Sequence, residues 1–243
     1  MGAALSLVLI LVTFGGYAYY VHCIERRKVS ELGAKGAVLE FASGLVLGSA
    51  LFGATMLVLW LLGILTYSGL ITGSTWVYPL FAALLTAAVE ETLVRGVMFR
   101  MLEERLGSWI ALGLSALIFG IMHAFNPGAS AISVIAIALE AEILLAAAYM
   151  LTRRLWFVLG LHAAWNFTEG GIFATQVSGS KIEGLIGVKF QGNDLLSGGA
   201  FGPEASIVAV SLCLLASAVI LALAKKKGHV IRPFWNIRKH PSA

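Results

Sequence analysis

Residues 77–99 read VYPLFAALLTAAVEETLVRGVMF, an apolar run that carries Glu90, Glu91 and Arg95 in its second half. A membrane helix needs about 20 mostly apolar residues. An ionisable group inside it costs about 2.5–3.5 kcal/mol on insertion scales, so such residues turn toward the bundle interior. Helical spacing sorts the three. Glu91 and Arg95 are four residues apart with the acid first, the favourable order for an ion pair on one face. Glu90 is rotated by about 100° from Glu91 and keeps a free carboxylate. One acid is therefore expected to be structural while its neighbour stays chemically available. Removing Arg95 would leave Glu91 buried and unpaired, an expensive state.

Working outward, the same character extends along the 243-residue chain, which is 59% hydrophobic and only 12% charged. Its mean hydropathy is +0.89. Soluble domains average about 45–50% apolar and about 25% charged residues. A soluble enzyme and a disordered chain are both excluded, leaving an all-α, polytopic transmembrane helix bundle. Seven segments fit: residues 3–21, 38–65, 77–99, 109–124, 130–151, 155–173 and 205–224. An eighth arises only if the glycine-rich stretch before the last one enters the bilayer. The first segment reads as a retained helix, because its positive charges follow the apolar core and in a signal peptide they precede it. Gly44 and Gly48 form a GxxxG step suited to close helix packing. The expected layout is 1–75 as two N-terminal helices, 76–224 as the core and 225–243 as a basic tail. Cys23 and Cys213 form no CxxC pattern, so neither a disulfide framework nor a zinc knuckle is supported.

Charge sets the expected orientation. Arg26, Arg27, Lys28, Lys35, Arg100, Arg105, Arg153, Arg154, Lys225, Lys226, Lys227, Arg232, Arg238 and Lys239 fall on one side of seven crossings. Lys181 and Lys189 fall on the other. This predicts an N-terminus outside and a C-terminus in the cytoplasm, in a multi-pass protein of the plasma membrane if the source is prokaryotic. The pI of about 9.2 then reports topology and the anionic cytoplasmic leaflet, with no nucleic-acid partner.

Other polar residues fall inside apolar segments: His123, Glu140, Glu142, His162 and Asn166. At about 1.5 Å per residue from the basic ends, Glu90 lies roughly 15 Å deep, His162 roughly 12 Å, Asn166 roughly 18 Å and His123 roughly 22 Å. Asn126-Pro127-Gly128 is a turn signal that lets a cavity reach His123 from the far side. A carboxylate, two histidines and an amide form a hydrolytic set: an acid–base pair for water and donors for an oxyanion. Zinc held by Glu90, His123 and His162 is chemically open, although HExxH is absent and no cofactor is required. GxSxG is also absent. Taken singly, each histidine reads equally as a hydrogen bond between helices, and Glu91 with Arg95 as a packing pair. Haem ligation by the two histidines is a further alternative. Glu140 and Glu142 sit on nearly opposite faces, so at most one readily faces the site. Glu142 is placed to line the cavity, and a structural or wetting role is expected for both. His22, His229 and His240 lie at helix ends and are expected in solvent.

Glu90-Glu91-Thr92-Leu93-Val94-Arg95 fits EExxxR, Phe119-Gly120-Ile121-Met122-His123 fits FxxxH, and His162-Ala163-Ala164-Trp165-Asn166 fits HxxxN. In this order on successive helices they resemble the CPBP family of intramembrane proteases, the CAAX prenyl endopeptidase and bacteriocin-processing (Abi) proteins. The similarity covers about residues 76–173, with further likeness in Ser197–Glu204. The resemblance implies an intramembrane endopeptidase acting on a membrane-associated protein or peptide. Glu90 would be the water-activating base assisted by His123, with His162 and Asn166 as the oxyanion site. Glu91, Arg95 and Phe119 would be supporting residues. Family members are labelled metalloproteases or read as metal-free glutamate proteases; the missing zinc motif favours the second. Two departures stand out. Thr152–Trp156 lacks the glycine-serine turn of relatives, and Glu140 occupies a region usually small and apolar. The alternative reading is a non-catalytic scaffold, immunity or chaperone protein using the same polar cavity.

Overall fold

The computed structural model describes residues 2–237; Arg238, Lys239 and His240 lie outside them. The first rod is α1 (Ala3–Tyr19), extended by a π-helical turn, Tyr20–Ile24. Next come α2 (Ala37–Leu61) and strand β1 (Leu65–Leu70). A continuous rod follows, made of α3 (Val77–Glu91), a π-helical stretch (Thr92–Phe99) and α4 (Arg100–Leu106). After Gly107 comes α5 (Ser108–His123). Then α6 (Ala131–Ile137), a π segment (Ala138–Glu142) and α7 (Ile143–Thr152) form one rod. The next is α8 (Leu155–Asn166) with its π continuation Phe167–Ile172. Short strands β2 (Gln176–Val177), β3 (Ser180–Lys181) and β4 (Ile186–Phe190) lead through α9 (Asp194–Ser197) to α10 (Ile207–Lys226) and α11 (Phe234–Ile237). Among the described residues, five helices are long and apolar enough to cross a membrane: Ala3–Ile24, Ala37–Leu61, Val77–Leu106, Ala131–Thr152 and Ile207–Lys226. The expected helix bundle stands.

The helix starts follow local chemistry. Ser130 caps α6 in a reciprocal box with Ser133, and the Ser206 side chain accepts from the Ala209 amide at the start of α10. Each satisfies orphan amides of the first turn. α5 ends at His123 and turns through Asn126, as the turn signal predicts.

Helix α2 packs most closely on α8. A Cβ at Gly44 would lie 2.2 Å from the Phe157 carbonyl, one at Gly48 2.3 Å from the Leu161 carbonyl, and one at Gly160 2.1 Å from the Phe41 carbonyl. The GxxxG step is thus a backbone-to-backbone seam, and it holds the helix that carries His162 and Asn166.

The basic end is tied together by ion pairs. Arg100 pairs with Glu25 and with Glu104 (2.7 Å), and Arg27 with Glu25 (2.6 Å). Arg153 pairs with Glu103, and Arg154 with Glu40 (2.9 Å). His229, expected in solvent, instead places its Nδ1 3.0 Å from the Leu151 carbonyl. Arg153 adopts the left-handed conformation (φ 58°, ψ 22°) that closes α7. Its ion pair with the buried Glu103 offsets the cost of that geometry, about 1–2 kcal/mol.

The opposite end contains strands that the helical reading did not anticipate. β1 pairs antiparallel with β4, with a bulge between Tyr67 and Gly69, and β2 pairs with β3. The glycine-rich stretch folds back over the bundle: Gly179 approaches the Pro127 carbonyl so closely that a Cβ would sit 1.7 Å from it.

Candidate active site

The rod that runs from α3 into the π stretch brings its three charges to different surroundings. Glu91 and Arg95 are 0% exposed and paired at 3.1 Å, as their spacing predicts. Arg95 also donates to Glu142 Oε2 at 2.5 Å and to the Glu142 carbonyl at 3.3 Å. Its guanidinium carbon stands 5.4 Å from the centre of the Phe119 ring, within cation–π range. The Glu90 side chain is 30% exposed and opens onto a cavity of about 250 Å³.

Glu90, His123, His162, Asn166 and Phe119 all line that cavity. His162 Nδ1 is 2.6 Å from Glu91 Oε1, and its Nε2 is 4.0 Å from Glu90 Oε2. Glu91 therefore orients one face of the ring while the other looks toward Glu90. His123 Nδ1 lies 2.9 Å from the Phe119 carbonyl. A carbonyl only accepts, so Nδ1 carries the hydrogen, and in the neutral ring Nε2 keeps its lone pair. The ring stacks 4.4 Å from Phe119, which gives the aromatic residue of the second motif a positioning contact.

Residues 72–168 match the family model described as type II CAAX prenyl endopeptidase Rce1-like. That segment is similar to the CAAX prenyl endopeptidase family. The matched segment starts just before α3 and contains all three motifs. With five long apolar helices among the described residues, and this similarity, the chain is an integral, multi-pass membrane protein. No curated protein and no solved structure matches the chain.

The metal alternative was tested on the donors themselves. Among the described residues, no three His, Cys, Asp or Glu side chains converge closely enough to hold a metal ion. Glu90, His123 and His162 do not form such a set, and no step is derived through a metal.

The two acids of the fifth segment are placed the other way round from expectation. Glu140 lines the cavity, whereas Glu142 is 0% exposed against Arg95. Two further buried carboxylates escaped the sequence reading. Glu204 lines the cavity and accepts from the Ser178 amide at 2.7 Å. Glu169 is buried close to Gly202. Glu204 ends the Ser197–Glu204 run, so that likeness was the signal; nothing local marks Glu169.

Proposed function

We propose that this protein is an endopeptidase that hydrolyses a peptide bond of a membrane-associated protein or peptide inside the cavity of about 250 Å³. The observation that carries this reading is the convergence of Glu90, His123, His162 and Asn166, from three separate rods, on that one cavity. Glu90 takes a proton from water, and His123, held through Nδ1 by the Phe119 carbonyl, accepts from the same water through Nε2 and aligns it. The water oxygen attacks the carbonyl carbon. The resulting oxyanion is met by His162 Nε2 and the Asn166 amide. Glu90 then returns the proton to the departing amine as the C–N bond breaks. Glu91 and Arg95 hold His162 from behind. The basic end faces the cytoplasm and the N-terminus lies outside.

Glu90→Gln keeps size and polarity at a partly exposed position but removes the base. The expected outcome is a well-folded protein whose proteolysis falls by at least about 10²-fold, with one membrane protein accumulating unprocessed in comparative membrane proteomics. Unchanged processing, or full complementation of a deletion, would favour the non-catalytic scaffold instead.

A further inference from the structure

Behind the cavity lies a set of charges with no access to water. The side chains of Glu91, Arg95 and Glu142 are all 0% exposed. One guanidinium facing two carboxylates leaves an unbalanced negative charge, and an uncompensated buried charge is strongly unfavourable. The remaining ionisable contact is His162, whose Nδ1 is 2.6 Å from Glu91 Oε1. That oxygen already accepts from Arg95 at 3.1 Å, so the ring donates to it. A proton on Glu142 is the other way to balance the sum. The short contacts favour the first: Glu142 Oε2 stands 2.5 Å from Arg95 Nη2 and Glu91 Oε1 2.6 Å from His162 Nδ1, both at charge-assisted distances. An imidazolium at His162 closes the count with two charges of each sign. It also supplies what the cavity needs. With Nδ1–H committed to Glu91, Nε2 bears a hydrogen only when the ring is doubly protonated.

We propose that Glu142, Arg95, Glu91 and His162 form one charge-closed set. In it, Glu142 is a positioning residue that acts through Arg95 and Glu91 to keep His162 an imidazolium, its Nε2–H turned into the cavity. Use of that N–H as an oxyanion donor rests on the endopeptidase reading; the protonation state does not. Glu90 lies on the Nε2 side of His162, and Glu140, Glu204 and His123 line the same cavity, with no Lys or Arg among the lining residues. From α2 the single ionisable residue is Glu40, paired with Arg154 at the basic end. From α7 it is Tyr149, whose ring packs on Phe99.

The test is ¹⁵N-histidine NMR of the whole protein in nanodiscs at pH 7, with His162 assigned by its disappearance in His162→Asn. Two protonated ring nitrogens are expected for His162, and one unprotonated nitrogen overturns the proposal on the wild-type protein alone. In Glu142→Gln the pattern becomes neutral, and the alkaline limb of the pH–rate profile moves down by about one unit. Glu142→Asp keeps the wild-type pattern. An unchanged imidazolium and a superimposable pH profile in Glu142→Gln overturn the role of Glu142. Failure of the endopeptidase reading shows itself separately, as full proteolysis by Glu90→Gln, and leaves the resonances untouched.

Discussion

Two adjacent glutamates have different surroundings because the helix turns them onto different faces. Glu91 meets Arg95 in a fully buried pair, while Glu90 keeps a carboxylate exposed to the cavity. Spacing alone predicts this division, since positions four apart on a helix are neighbours whatever surrounds them. Spacing could not supply Glu142 as the second partner of Arg95, because that contact joins residues 47 apart and depends on how two rods pack. The exchange of Glu140 and Glu142 has the same origin. Both lie in the π segment Ala138–Glu142, whose altered hydrogen bonding shifts the phase of the helix. Arg95→Met tests the pair directly. It leaves Glu91 and Glu142 buried without their cation, and the expected loss is about 3–5 kcal/mol, measured as a lowered unfolding midpoint in detergent. A loss below about 1 kcal/mol would mean the carboxylates are neutral in the fold.

At the scale of elements, the helices were readable because apolar length and turn signals are local properties, and segments such as 109–124 and 155–173 match the rods to within a residue or two. The strands were not, since β1 is defined by its pairing with β4 more than 100 residues later. The π stretches at Thr92–Phe99, Ala138–Glu142 and Phe167–Ile172 were equally hidden. They adjoin Glu91, contain Glu140 and Glu142, and follow Asn166, in keeping with the recurrence of π-bulges at functional sites. The GxxxG step was visible, but its partner helix was not. α2 offers a matched pair of substitutions to test that seam. Gly48→Ala places a methyl group 2.3 Å from the Leu161 carbonyl, whereas a Cβ at Gly53 has nothing within 4 Å. Gly48→Ala is expected to cost about 1–3 kcal/mol and to lower proteolysis, because it pushes away the helix bearing His162. Gly53→Ala is expected to raise stability by up to about 1 kcal/mol. Thermal unfolding and peptide-cleavage rates on both variants decide the point; equal effects would remove the seam from the account.

For the whole molecule, Arg27, Arg100, Arg153 and Arg154 gather at one end of the bundle, where acids from several rods neutralise part of their charge. The natural cysteines report its sidedness. Cys23 is exposed near that end and Cys213 is buried. A membrane-impermeant maleimide is expected to label Cys23 in inside-out vesicles and not in right-side-out ones, with Cys213 silent in both. The reverse pattern inverts the proposed orientation.

The seam between α2 and α8 also constrains synthesis. Gly48 and Gly160 are more than 100 residues apart in the chain. At roughly 5–20 residues per second, α2 waits on the order of ten seconds for its partner to leave the ribosome. During that interval its glycine groove has no helix to fill it. His162 and Asn166 arrive on that same late partner, so the nascent chain has no complete cavity wall while its first half is being inserted.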